Sequence, residues 1–204
     1  MVERQLRARG VTDKRVLDAM RQIPREQFVP EESRVLTYRD EPLPIGYGQT
    51  ISQPYMTAFM TQCMELKGDE TVLEVGAGSG YHAAVLSLLA ARVVTIEIVP
   101  ALAAMAQRNL EKTGYSANVV VVEGDGSAGC AEHAPYDAIS VAACAPDVPQ
   151  ALVAQLKDGG RLVIPVGPIT EQALLVVTRR PGRTEQRTAG FCRFVPLRGG
   201  QGWR

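Results

Sequence analysis

The stretch Val72-Leu73-Glu74-Val75-Gly76-Ala77-Gly78-Ser79-Gly80 constrains this chain more than any other. Val72 to Val75 reads as a short buried strand, and glycines at alternate positions follow at once. Without side chains at Gly76, Gly78 and Gly80, the backbone can take positive φ and a ligand can approach it. The pattern then repeats. Tyr81 to Ala91 reads as a helix, Arg92 to Ile98 as a strand and Pro100 to Lys112 as a helix. Val119 to Glu123 and Tyr136 to Val141 read as strands, Val148 to Leu156 as a helix, and Gly160 to Val166 as a strand. This alternation predicts a mostly parallel sheet with helices on both faces. Gln172 to Arg179 and Arg187 to Val195 flank the turn signal Arg180-Pro181-Gly182-Arg183, predicting an antiparallel pair at the sheet edge.

Residues 1 to about 66 read differently, as a helical lead-in followed by a loop marked by glycine and proline. Thr12 or Asp13 can cap a helix that places Val16, Leu17 and Met20 on one face, and Pro24 ends it. The 204 residues suit a single domain, 1–204, with this segment leading into an α/β core at 67–204. Hydrophobic residues make up 46% of the chain, enough to build a core without covalent staples.

Charge and cysteine usage exclude several function classes. The 22 basic and 22 acidic residues balance, so no global field draws nucleic acid or an anionic membrane. No apolar run approaches the ~20 residues that span a bilayer. Cys63, Cys130, Cys144 and Cys192 are widely spaced, and His82 lies far from His133, so reduced thiols without a metal are expected. The expectation is a cytoplasmic, metal-free monomer.

Acidic residues at strand ends narrow the ligand. In open α/β sheets a ligand sits beyond the carboxyl ends of the strands, where strand order reverses. Glu97 ends the second strand, where a carboxylate can accept hydrogen bonds from both ribose hydroxyls. Asp125, beside Gly126 after the third strand, can meet an adenine amino group, and Glu74 can help position a ligand ammonium. A nicotinamide cofactor would ask for Gly-x-Gly-x-x-Gly, whose third glycine allows close packing of helix on strand. Here Tyr81 stands in that place. The loop resembles motif I of class I methyltransferases, with Glu97 matching their ribose-binding acid, which implies S-adenosyl-L-methionine (SAM) and its product S-adenosyl-L-homocysteine (SAH).

The segment Pro44-Ile45-Gly46-Tyr47-Gly48-Gln49-Thr50-Ile51-Ser52-Gln53-Pro54 is the most individual in the chain. It resembles the signature of the protein-L-isoaspartate O-methyltransferase family. The likeness continues through the glycine loop, Gly124-Asp125-Gly126, Ala134 to Ile139, Gly159 to Gly167, and the tail Phe194-Val195-Pro196-Leu197 with Gly202-Trp203. It covers nearly the whole chain. His82 stands where glutamine is frequent, and Ser140 to Pro146 varies a stretch that usually carries more threonine and alanine. The resemblance implies a Rossmann-like class I methyltransferase fold acting on isoaspartyl-containing peptides and proteins, with 1–66 contributing the acceptor site. It also makes Ser52 the catalytic residue, with Thr50, Ile51 and Gln53 beside the substrate. His82 reads as a helix-packing residue.

That chemistry agrees with what the chain lacks. The acceptor is the α-carboxylate freed when an aspartyl residue links through its side chain. Carboxylates ionise with pKa values of about 3–4, so no general base is needed. An extended segment points Thr50 and Ser52 the same way, where their hydroxyls can hold that carboxylate in line with the methyl–sulfur bond. A shallow groove binding peptide backbone fits a substrate of variable sequence. Two other readings stay open here: a class I methyltransferase with a different acceptor, and a non-catalytic SAM-binding module.

Overall fold

The computed structural model describes residues 1–203, so the last residue of the expected 1–204 span lies outside the described residues. Seven strands form the central sheet: β3 (Thr71–Val75), β4 (Arg92–Glu97), β5 (Val119–Glu123), β6 (Tyr136–Val141), β7 (Leu156–Val166), β8 (Gln172–Arg180) and β9 (Arg183–Cys192). Their order is β5-β4-β3-β6-β7-β8-β9. β3 through β7 pair in parallel, and β8 and β9 close the edge antiparallel, as expected. Chain order reverses between β3 and β6, which places a crevice beyond Val75 and Val141.

Side-chain alternation along each strand feeds two separate cores. Val72, Val93 and Ala138 face one side with α1 (Lys14–Gln22), α2 (Pro54–Met64), α3 (Tyr81–Ser87) and α4 (Pro100–Thr113). Leu73, Val94 and Ile139 face the other with α5 (Gln150–Ala154) and the loops around Tyr136. Neighbouring residues on one strand therefore belong to opposite cores, the two-sided burial that a parallel sheet requires. Among the described residues, no helix is long and apolar enough to cross a membrane.

The N-terminal segment holds more structure than the sequence reading supplied. Asp13 is the N-cap of α1, its carboxylate accepting from the amides of Arg15 (2.8 Å) and Val16 (3.4 Å). A short hairpin, β1 (Leu43–Gly46) and β2 (Gln49–Ile51), turns through Tyr47 and Gly48, both at positive φ. The stretch read as loop up to residue 66 contains α2, which begins with Pro54 at its first turn. Most α2 side chains are buried, because the helix touches α1 on one side and β6 and β7 on another. Apolar residues therefore run round it, and the 3.6-residue stripe that marks an amphipathic helix is missing.

Several boundaries differ from expectation for local reasons, and β7 begins at Leu156 instead of Gly160. α3 stops at Ser87 instead of Ala91, and Asn118 Nδ2 donates to the freed carbonyls of Ser87 and Ala90, each at 3.0 Å. α5 is shorter than Val148 to Leu156, because Leu156 already pairs with Tyr136 as the start of β7. β9 covers Arg183–Cys192, not Arg187 to Val195, since the turn uses only Pro181 and Gly182. The buried Gln172 then accepts from the Phe194 amide at 2.7 Å and leads the chain out of the sheet.

Candidate active site

The crevice at the reversal of strand order is a pocket of about 800 Å³, counted out to its open mouth. Gly76, at φ 95°, turns the chain away from β3, and its amide donates to Ile96 O on β4 at 2.8 Å. Gly78 has its amide 3.0 Å from Glu97 Oε2, while Glu97 Oε1 accepts from the Val99 amide at 3.0 Å. Two backbone donors thus lock the Glu97 carboxylate, which is 6% exposed, and its remaining lone pairs are available to a ligand. Asn109 Nδ2 donates to Ser79 O at 2.9 Å and ties the loop to α4.

Glu74 lies deeper and is 1% exposed. Its Oε2 accepts from Thr95 Oγ1 at 2.6 Å, while Oε1 has no well-aligned hydrogen bond. His82 Nδ1 sits 3.2 Å from that oxygen. A buried acceptor short of a donor, in the wall of a pocket, suits a ligand that carries an ammonium group. With Glu97 free to take ribose hydroxyls, the residues present fit SAM.

Not every expected cofactor residue lines this pocket. Glu74, Gly76, Gly78, Glu97 and Gly126 do. Gly80 does not: a Cβ there would come within 3.1 Å of Ala106 O, so its bareness serves the packing of the loop on α4. Asp125 also lies outside the lining. Its carboxylate accepts from the Ser127 hydroxyl and amide and from the Gly200 amide at 2.8 Å. Burial pushes the Asp125 carboxyl upward, but these hydrogen bonds outweigh it and hold the group below the usual carboxylate range. Gly126 is doubly constrained, since a Cβ would fall 2.6 Å from Val75 Cγ1 and 2.9 Å from Ile96 Cγ2.

A second pocket adjoins the first, and the two share Thr50, Ser52, Ala142, Val195 and Pro196. Thr50 and Ser52 flank Ile51, which is 5% exposed and turned into the core. Gln53 lines only the second pocket, with Met56, Ile169 and Phe194 among its neighbours. The hairpin rests on the glycine loop, with Ile45 Cδ1 placed 3.2 Å from where a Gly78 Cβ would lie. Ser52 therefore stands where the two pockets meet.

Several contributors escaped the sequence reading. Arg25 is fully buried, donates to Ser52 O at 2.7 Å and Thr37 O at 3.0 Å, and stacks its guanidinium over the Tyr81 ring. Pro24-Arg25 offered no periodic signal, because the role comes from contacts 12 and 27 residues away. Ile98, 40% exposed beside Glu97, gives the pocket rim an apolar face. The tail was noted for its resemblance but not as a wall. Val195 O and the Leu197 amide pair with Cys144, and Trp203 Nε1 donates to Cys144 O at 3.0 Å, bringing Val195 and Pro196 over both pockets and Leu197 and Arg198 over the first.

The chain matches the family described as protein-L-isoaspartate(D-aspartate) O-methyltransferase over residues 1–202. A protein-L-isoaspartate O-methyltransferase of Methanoculleus marisnigri is 52% identical over 204 residues, which span all of this chain and 92% of that protein. A solved protein-L-isoaspartate O-methyltransferase superposes with a TM-score of 0.87 at 32% identity, covering 98% of this chain and 67% of the other. One from Plasmodium falciparum, solved with SAH, gives 0.82 at 27% identity over 97% and 96%. The doubly wound sheet and its crevice make this a class I SAM-dependent methyltransferase. Within that class, the chain belongs to the protein-L-isoaspartate O-methyltransferase family.

Proposed function

We propose that this protein transfers a methyl group from SAM to the free α-carboxylate of L-isoaspartyl residues in damaged proteins. The observation that carries this reading is the meeting of two pockets at Thr50 and Ser52. One pocket has the acidic walls that suit SAM, and the other is an open, largely apolar groove for a peptide. The family match over the chain supports the choice of acceptor.

SAM supplies an electrophilic methyl group on its sulfonium. Glu97 takes the ribose hydroxyls, Glu74 faces the ammonium, Gly76 and Gly78 let the ligand approach the backbone, and Gly126, packed on Val75, lines the pocket. Asp125, tied to the tail, closes the adenine end. Gly80 supports the loop from behind. Ser52, assisted by Thr50, donates a hydrogen bond to the acceptor carboxylate and fixes its attacking oxygen, while Ile51 and Gln53 shape the groove. Ionised already at neutral pH, the carboxylate attacks without a base, so orientation and exclusion of water carry the catalysis. The resulting ester cyclises spontaneously to a succinimide with loss of methanol, and hydrolysis returns part of it to normal aspartate. We place this activity in a monomer in the cytoplasm; the four unpaired cysteines support the compartment.

The test is methyl transfer from labelled SAM to two peptides of one sequence, one isoaspartyl and one aspartyl. The isoaspartyl peptide is methylated and the other is not, because its carboxylate lies one methylene out of place. Equal rates on both would reject the assignment.

A further inference from the structure

Arg193 is the one charged side chain among those lining the second pocket. It directly follows the end of β9 and is exposed. Among the described residues, no carboxylate lies within ion-pair distance of its guanidinium, whereas Arg180 and Arg183 at the far end of the same hairpin share Glu185. The backbone that carries Arg193 is fixed on both sides by one residue. Gln172, fully buried, is the ladder partner of Cys192, and its Oε1 accepts from the Phe194 amide at 2.7 Å. Its Nε2 donates to Pro168 O at 2.7 Å and to Ile169 O at 3.1 Å. One buried amide thus ties the loop carrying Ile169 to the strand end carrying Arg193. Ile169 and Phe194 line the same pocket, so an unpaired cation stands beside apolar surface on a rigid base.

We propose that Arg193 forms a subsite for the carboxylate of an acidic residue flanking the isoaspartyl in the substrate peptide. A guanidinium is planar and forks onto a carboxylate through two parallel hydrogen bonds. It is also weakly hydrated, so it gives up water more readily than an ammonium does. Apolar neighbours such as Ile169 and Phe194 displace water from the pair and strengthen it. The acceptor carboxylate itself is not the partner. Ser52 lines both pockets, whereas Arg193 lines only the second. An ion pair on the attacking oxygen would also hold back the electrons that the methyl group must receive. An extended peptide advances about 3.3 Å per residue, so side chains one or two positions from the isoaspartyl leave the Ser52 junction for the body of the groove. The groove then takes many sequences but favours damaged segments that carry acid nearby.

The inference rests on the second pocket receiving the peptide, and the experiment separates the two. Isoaspartyl peptides of one sequence carry Glu, Gln or Lys two positions before or two positions after the damaged residue. Both termini are blocked, so the flanking Glu supplies the only other carboxylate. Methyl-ester formation from labelled SAM gives kcat/KM for the wild type, Arg193→Gln and Arg193→Lys. In the wild type, for at least one placement, the Glu peptide exceeds its Gln counterpart about fivefold through KM, the upper range for an ion pair still touching solvent. The Lys peptide falls below both. Arg193→Gln brings the Glu-to-Gln ratio to about one, and Arg193→Lys keeps part of the preference. Raising salt from about 0.05 to 0.5 M shrinks the wild-type ratio. A wild-type ratio near one at both placements overturns the inference, as does a preference that survives Arg193→Gln. An equal loss on all three peptides in that variant, with the ratio kept, overturns it too. Failure of the wild type to methylate any isoaspartyl peptide instead removes the proposed function, and this inference with it.

Discussion

In the proposed reaction, Ser52 and Glu97 would serve in different ways. Ser52 is half-buried at the junction of the pockets, its carbonyl held by Arg25. Ser52→Ala removes a positioning hydroxyl and no proton acceptor, so turnover on an isoaspartyl peptide falls about 10²-fold while SAH affinity is retained. Unimpaired turnover in that variant, measured by ester formation, rejects the role. Glu97 is instead preorganised by the Gly78 and Val99 amides before any ligand arrives. Glu97→Ala weakens SAM by about 1.5–3 kcal/mol, the range for a charge-assisted hydrogen bond. Calorimetry giving wild-type affinity removes the ribose assignment. Both residues were visible in the sequence, one through its motif and one through its place at a strand end. Arg25 was not, because a lone arginine after a proline announces nothing about the carbonyls it will reach.

Helices and strands were legible where one face met solvent or where turns were marked. The five parallel strands were each recognised, though β7 begins at Leu156 and not Gly160; other ends were settled by a side chain from elsewhere, such as Asn118 at α3 or Gln172 after β9. α2 stayed hidden because burial on several sides erased its period. Gly80 shows that a motif glycine can be kept for an element and not a ligand. Gly80→Ala forces a side chain to φ 87° and against the Ala106 backbone, so it costs about 2–4 kcal/mol. Gly114, at φ 79° with open space around it, provides the control: Gly114→Ala pays only the conformational term, about 1 kcal/mol. Urea unfolding of both variants measures the difference, and equal losses refute the packing argument.

The tail joins the two halves of the site into one machine. Val195 and Pro196 line both pockets, held there as Cys144 pairs with the tail, Trp203 docks on Cys144 O, and Gly200 donates to Asp125. Asp125 follows β5 and Cys144 follows β6, so the tail spans the crevice mouth from two strands. Trp203→Ala loosens that span, raising the peptide KM about tenfold, the scale of one lost hydrogen bond with its packing. Hydrogen exchange at the Leu197 amide accelerates with it. Unchanged exchange and an unchanged KM together show that the tail needs no such anchor.

Local chemistry written in the chain was enough to establish the strand–helix alternation, the positive-φ glycine loop, the strand-end acids and the Ser52 segment. Each depends on residues close together in sequence, where periodicity and turn geometry act directly. Folding decided what depends on distant partners. It placed Ser52 between two pockets, gave Asp125 to the tail, turned Gly80 toward α4 and set His82 between Glu74 and Thr61. Such pairings arise from how the sheet twists and the helices pack, and no spacing along the chain encodes them.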